Sequence, residues 1–157
     1  MIIFLFFTLI QYLIDILMNN TLKNKKILIS AGASGIGWAT AKICLGKGAT
    51  VFLCDIEQKY LRKVKKHSQI NKKLFVYHCD ASSEDDDLQL FKKILKKTKK
   101  LDCLINNVGV AGPTGTIENL SSMHWEKTLK INIISHFYFT KLAIPMLKKI
   151  KEGQLLI

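Results

Sequence analysis

A run of small residues, Ala31-Gly32-Ala33-Ser34-Gly35-Ile36-Gly37, follows the short apolar stretch KILIS at residues 26–30 and leads into a longer segment opening near Trp38. Glycines in such a turn let the main chain approach a ligand closely, and free N–H groups at the start of the next helix attract a pyrophosphate. A glycine-rich loop alone is weak evidence. Placed between the first strand and first helix of a βαβ unit, it points to a dinucleotide. Asp55 closes the second apolar run, 18 residues beyond Gly37. A carboxylate there can accept hydrogen bonds from the hydroxyls of an adenosine ribose. It also repels a 2′-phosphate, and neither Ser34 nor Trp38 supplies a cation for one, so NAD is expected ahead of NADP. The competing role for Asp55 is simply to cap the next helix.

These residues need a scaffold, and the hydropathy pattern supplies one. From residue 25 onward, short β-rich runs alternate with longer amphipathic stretches, the signature of βαβ units feeding a parallel sheet. Strands are expected at residues 26–30, 50–55, 74–79, 101–106 and 154–157, apolar enough to be buried on both faces. The third helix, after Ser82 and Ser83, opens on Glu84, Asp85, Asp86 and Asp87, carries Leu88, Phe91, Ile94 and Leu95, and ends among lysines. Serine caps and early acids suit the positive end of the helix dipole, and late lysines suit the negative end, so these charges are expected on a solvated face. The fourth helix is expected over residues 122–151, with Trp125, Leu129, Ile133, Phe137 and Ala143 at helical spacing and a kink near Pro145. Asn132 lies on or beside that apolar face and therefore needs a partner, backbone or ligand.

The chain has 157 residues, 48% of them apolar, enough for one domain with a single core. Its formal net charge of +12 comes almost wholly from lysines spread along the chain, Arg62 being the lone arginine. Nucleic-acid surfaces favour clustered arginine, whose planar fork makes paired hydrogen bonds, so nucleic acid is not expected as a partner. Cys44, Cys54, Cys79 and Cys103 show no metal-ligand spacing and read as small core hydrophobes, so no metal is expected. The lack of a disulfide framework suits a reducing, cytoplasmic compartment. The four histidines, His67, His78, His124 and His136, form no ligand or triad spacing, and surface or packing roles are expected for each.

Residues 1–17 (MIIFLFFTLIQYLIDIL) stand apart from the rest. No positive n-region or cleavage site marks a signal peptide. Three readings stay open: a false start with translation beginning at Met18, a membrane anchor somewhat short of a hydrocarbon core and burdened by Gln11 and Asp15, or a helix packed on the domain. Residues 18–157 then form the domain proper.

The loop from Ser30 to Gly37, the pair Cys79-Asp80, the tetrad Asn106-Asn107-Val108-Gly109 and Asn132 resemble, in order and spacing, the N-terminal portion of the short-chain dehydrogenase/reductase family. The resemblance covers about residues 25–157. It implies an α/β fold with a Rossmann-type doubly wound parallel sheet, truncated after the fifth strand, and an NAD(P)-binding domain that is incomplete. It further implies that Ser30, Ala31, Ser34, Gly35, Ile36 and Gly37 form the pyrophosphate loop. Asp55 would hold the ribose, and Asp80 with Ala81 would meet the adenine. Asn107, Val108 and Gly109 would support the sheet and pass the nicotinamide ribose. Asn132 would be the family's catalytic helix asparagine, whose backbone kink orders a water in the proton relay. Two departures are visible: Ser30-Ala31 replaces the usual Thr-Gly, with Gly32 able to restore flexibility, and Val108 replaces alanine.

In this family a catalytic serine follows the fifth strand and a Tyr-x-x-x-Lys pair lies on the next helix, the lysine lowering the pKa of the tyrosine acid/base. No Tyr-x-x-x-Lys occurs here; Lys63 and Lys141 follow Tyr60 and Tyr138 one residue too soon. The expected function is therefore the cofactor-binding part of an oxidoreductase acting on a small hydroxyl/carbonyl substrate, inactive alone. A non-catalytic NAD-binding module or half-domain needing a partner chain is the alternative, and a membrane-anchored reductase is the third reading. The family's homo-oligomers imply a contact face over residues 125–139.

Overall fold

The computed structural model describes residues 21–151 and 153–156, so the apolar segment 1–17 lies outside the described residues. Five strands form one all-parallel sheet: β1 (Lys26–Ile29), β2 (Thr50–Asp55), β3 (Leu74–His78), β4 (Cys103–Ile105) and β5 (Gln154–Leu156). Their order is β3-β2-β1-β4-β5. Helices α1 (Gly35–Gly46), α2 (Gln58–Ile70), α3 (Glu84–Leu95), α4 (Ser122–Leu129) and α5 (Ser135–Leu147) connect them, with a π-helical turn at Lys130–Ile134 between the last two. The strand order reverses between β1 and β4, and ligands of such sheets bind at that switch point, beyond the carboxyl ends of the strands.

Alternation along the strands divides the core into two layers. Ile27, Ile29, Val51, Leu53 and Cys103 face α1 and α2, meeting Ala41, Cys44, Leu61 and Val64. Leu28, Phe52, Cys54 and Leu104 face α3 and α5, meeting Leu90, Phe91, Ile94, Phe139, Ala143 and Met146. The buried positions of α1 are Gly37, Ala41 and Cys44, so its axis can lie close to the sheet and aim its first turn at the end of β1. Phe139 is wholly buried and meets Phe91 edge-on, ring centroids 5.7 Å apart; truncating such a residue costs about 3–5 kcal/mol. All four cysteines are free and buried, as small core hydrophobes would be.

Three elements depart from expectation. The acids opening α3 are not all solvated: Asp87 is completely buried, while Leu88 is 37% exposed. The face turned inward is Asp87, Leu90, Phe91 and Ile94. Cys79 Sγ donates to Asp87 Oδ1 at 3.3 Å, which draws position 87 rather than 88 against the sheet. Ser83 does cap the helix, accepting from the Asp86 N–H at 3.3 Å. The fourth helix is not continuous over 122–151: the π turn interrupts it around Asn132, and it ends at Leu147, two residues past Pro145. Finally β5 is exposed throughout rather than buried on both faces, because only β4 pairs with it and no described helix covers it.

Among the described residues no helix is long and apolar enough to cross a membrane, and no group of three His, Cys, Asp or Glu side chains is arranged to hold a metal ion.

Candidate functional site

At the switch point β1 and β4 are tied together by side chains. Ser30 is fully buried, and its Oγ accepts from the Asn107 N–H at 3.0 Å and the Val108 N–H at 3.2 Å. Asn107 Nδ2 returns the link, donating to the Ser30 carbonyl at 3.2 Å and the Ala31 carbonyl at 2.9 Å. The Ser30 hydroxyl is thus committed to main chain beneath the loop, so it supports the loop from below instead of facing a ligand.

Above this clamp the chain turns sharply. Ala31 takes φ +47°, and Gly35 takes φ +50°. The expectation that Gly32 restores the missing flexibility is corrected: Ala31 itself adopts the left-handed backbone, at a steric cost to its Cβ. Gly32 is needed for space, since a Cβ there would lie 2.8 Å from Leu53 Cβ. At Gly37 the crowding is tighter, with a Cβ falling 2.5 Å from the Ala31 carbonyl oxygen and 2.6 Å from Asn107 Nδ2. Helix α1 begins at Gly35, earlier than the expected start near Trp38, and Ser34 precedes it in an extended conformation with its side chain making no cap hydrogen bond. Nothing lies within 4 Å of a Cβ built on Gly35, and Ile36 is 80% exposed. This first turn is an open cradle of N–H groups at the positive end of a helix, which fits a pyrophosphate.

Asp55 ends β2 beside the same loop. Its Oδ2 accepts from the Ala33 N–H at 3.0 Å and its Oδ1 from the Glu57 N–H at 2.9 Å. It therefore anchors the glycine-rich loop and steadies the start of α2 together. A carboxylate has about four lone-pair sites, so these two bonds leave room for ribose hydroxyls. One strand further out, Asp80 Oδ1 accepts from the Ser82 N–H at 2.9 Å and Ser82 Oγ at 2.8 Å, and the Asp80 N–H donates to Asp86 Oδ2 at 3.1 Å. Ala81 is buried beside them.

Asn132 sits inside the π turn. Its Oδ1 accepts from the Val110 N–H at 2.8 Å and its Nδ2 donates to the Val110 carbonyl at 3.0 Å, so the amide pairs with one residue as a strand neighbour would. A π turn adds a residue to the helix and frees main-chain groups, a feature frequent at functional sites. Gly109 lies beneath this pair, a Cβ there falling 3.7 Å from Asn132 Oδ1. His136, one turn on, holds the Val108 carbonyl at 2.8 Å through Nε2; a carbonyl only accepts, so Nε2 carries the proton. His136 was expected in a surface or packing role. Its spacing of four from Asn132, on the same helix face, is the signal that could have placed it here. His67, by contrast, does pack, its ring 5.3 Å from that of Trp38. A cleft of about 410 Å³ opens between residues 110–113 and His124, Lys127, Thr128 and Ile131.

The structure thus gathers Ser34, Gly35, Ile36, Gly37, Asp55, Asn107, Val108 and Gly109 around the ends of β1, β2 and β4, with Asp80 and Ala81 at the end of β3 and Asn132 beside Gly109. Residues 25–157 match the family model described as short chain dehydrogenase. A tropinone reductase homolog of Arabidopsis thaliana is 31% identical over 142 residues, which are 87% of this chain and 52% of the relative. L-fucose dehydrogenase of Bos taurus is 29% identical over 80% of this chain and 45% of its own length. The solved RhlG/NADP active-site complex of Pseudomonas aeruginosa superposes with a TM-score of 0.75 at 25% identity, over 84% of this chain and 51% of that one. The chain spans about half the length of these relatives.

Proposed function

Since the chain belongs to the short chain dehydrogenase family, an NAD(P)-binding oxidoreductase family, we propose that residues 25–157 are the cofactor-binding half of an enzyme that moves hydride between a nicotinamide cofactor and a small hydroxyl/carbonyl substrate. The observation that carries this reading is the open first turn of α1, held over the β1–β4 switch point by Asn107 and flanked by Asp55. When bound, the nicotinamide supplies the hydride acceptor or donor. The protein's part is to bind and orient. N–H groups at Gly35, Ile36 and Gly37, with Ser34, meet the pyrophosphate; Asp55 accepts from the ribose; Asp80 and Ala81 meet the adenine. Asn107, Val108 and Gly109 carry the nicotinamide ribose, their backbone steadied by Ser30 and His136. Asn132 holds Val110 and frees main-chain groups in the π turn for a water. Because residues 25–157 include no Tyr-x-x-x-Lys, this stretch by itself orients a cofactor without supplying the acid/base.

NAD is favoured over NADP. The buried Asp55 carboxylate would repel a 2′-phosphate brought beside it, and such a pairing of like charges is costly. Titration of the chain with NADH and NADPH, followed by nicotinamide fluorescence, tests both points. NADH is expected to bind at least about tenfold more tightly, a gap of about 1.4 kcal/mol. Equal binding refutes the cofactor preference, and no binding of either refutes the functional reading.

A second reading, a non-catalytic half-domain that needs a partner chain, draws on the α4–α5 surface. Trp125, Leu129, Ile133 and Phe137 recur every four residues and are between 43% and 59% exposed, a continuous apolar stripe of the kind that marks an interaction face. Leu155 and Leu156 on the β5 edge are also exposed. The same stripe serves the oligomer contact expected over residues 125–139.

A further inference from the structure

We propose that Asp87 is a positioning residue for the adenosine half of the cofactor site: as a neutral acid it holds residues 79–82 in place, so cofactor affinity falls as the medium turns alkaline. This rests on the reading of residues 25–157 as a nicotinamide-cofactor site.

Asp87 lies under the first turn of α3 with no exposed surface. Oδ1 accepts the Cys79 thiol at 3.3 Å, and Oδ2 has no partner. An ionised carboxylate at that spot would be a buried charge with one weak donor, a costly arrangement, whereas the neutral acid is tolerated. The segment it clamps is short and directly linked to the site. Cys79 precedes Asp80, the Asp80 N–H donates to Asp86, and the Ser83 N–H donates to the Asp80 carbonyl at 3.0 Å. A shift at position 87 therefore moves the residues assigned to the adenine.

Of the charged and titratable groups facing Asp87, the neighbouring carboxylates favour its neutral form and the Cys79 thiol opposes it. Burial pushes its pKa from the ordinary carboxylate range up to about 7; the Cys79 hydrogen bond opposes that, and the carboxylates of Asp80, Asp86 and Glu84 add to it. Cys79, beside Cys54 of β2 and buried, has its own pKa raised and stays a thiol. From α5, Lys141 is engaged by Glu84 at 3.0 Å instead of by Asp87. The folded chain thus keeps a proton that the unfolded chain releases near the ordinary carboxylate value. The stability this proton contributes is fully present below that value and is lost as pH rises through about 7.

Two measurements on the whole chain decide it. NADH is titrated at about pH 6 and about pH 8.5 against wild type, Asp87→Asn and Asp87→Leu, with 5′-AMP and reduced nicotinamide mononucleotide as competing halves. Wild-type Kd is expected to rise at least about fivefold across that range, short of the tenfold-per-unit limit of one linked proton; 5′-AMP should follow it, the mononucleotide should not, and both variants should lose the slope. A flat wild-type Kd, or an equal slope in the variants, overturns the proposal. In parallel, the urea midpoint of wild type is expected to fall from about pH 5 to about pH 7.5 while those of the variants do not. A flat wild-type midpoint overturns the clamp without reference to any cofactor. A chain that shows the midpoint slope yet binds no NADH refutes the cofactor reading, and with it the role at the adenosine half.

Discussion

Replacing Ser30 with alanine tests the clamp at the switch point most directly. The substitution removes one oxygen and leaves two N–H donors, of Asn107 and Val108, without the partner they hold at 3.0 and 3.2 Å. A buried donor left unpaired costs about 1–3 kcal/mol. Both residues are half-buried, so water can reach part of the gap, and the low end of the range applies to each: about 2 kcal/mol in all. For a chain of this size that lowers Tm by roughly 4–8 °C. The assay is urea unfolding followed by far-ultraviolet circular dichroism, with NADH titration on the folded protein. Affinity should fall as well, since Asn107 also positions the Ala31 carbonyl. Ser30→Thr keeps the oxygen and serves as the matched control. If Ser30→Ala loses less than about 0.5 kcal/mol, the range of an ordinary surface change, the reasoning about the clamp is wrong.

Ala31→Gly should stabilise the fold. Relief of an alanine at φ +47° recovers about 1–2 kcal/mol. Glycine's greater freedom in the unfolded chain returns about 0.5–1 kcal/mol, leaving a gain of about 0.5–1 kcal/mol readable in the urea midpoint. Gly37→Ala should do the opposite: its Cβ meets the Ala31 oxygen at 2.5 Å and Asn107 Nδ2 at 2.6 Å, overpacking that costs about 1–3 kcal/mol. NADH binding in Gly37→Ala should weaken at least about tenfold, and unchanged affinity would show that α1 need not approach the loop so closely.

Much of the scaffold can be read from local pattern. β2 runs over Thr50–Asp55 as its apolar residues demand, and β1 and β3 each stop one residue short of expectation. β4 shrinks to Cys103–Ile105, although the main chain on either side still bonds to the flanking strands, the Asp102 N–H donating to the Lys26 carbonyl at 2.8 Å and the Asn106 N–H to the Leu156 carbonyl at 2.9 Å. The glycine loop and Asp55 are legible because their chemistry depends on short spacing in sequence. Asp87 is not, because a run of four acids at a helix start looks the same whether the fourth faces water or a thiol eight residues upstream. The π turn is equally invisible: nothing in Lys130–Ile134 disfavours an α-helix, and the distortion accompanies the pairing of Asn132 with Val110, 22 residues away. Ala31 misleads for a related reason, since its left-handed backbone is set by the closure between β1 and β4 and not by its own preference.

The tie between Ser30 and Asn107 joins residues 77 apart in the chain. Closing a flexible loop of that length costs about 4 kcal/mol beyond a constant, and nothing repays it until β4 has docked beside β1. The glycine loop, though finished early in the sequence and anchored to β2 through Asp55, thus gains its second tie only late in folding. During synthesis, a nascent chain that has emerged only as far as α3 has the Asp55 anchor but not the tie between Ser30 and Asn107. Kinetically, the ability to hold a ligand should switch on with the docking of β4 as one cooperative event, and pulse-labelled exchange at the Asn107 and Val108 amides would time it.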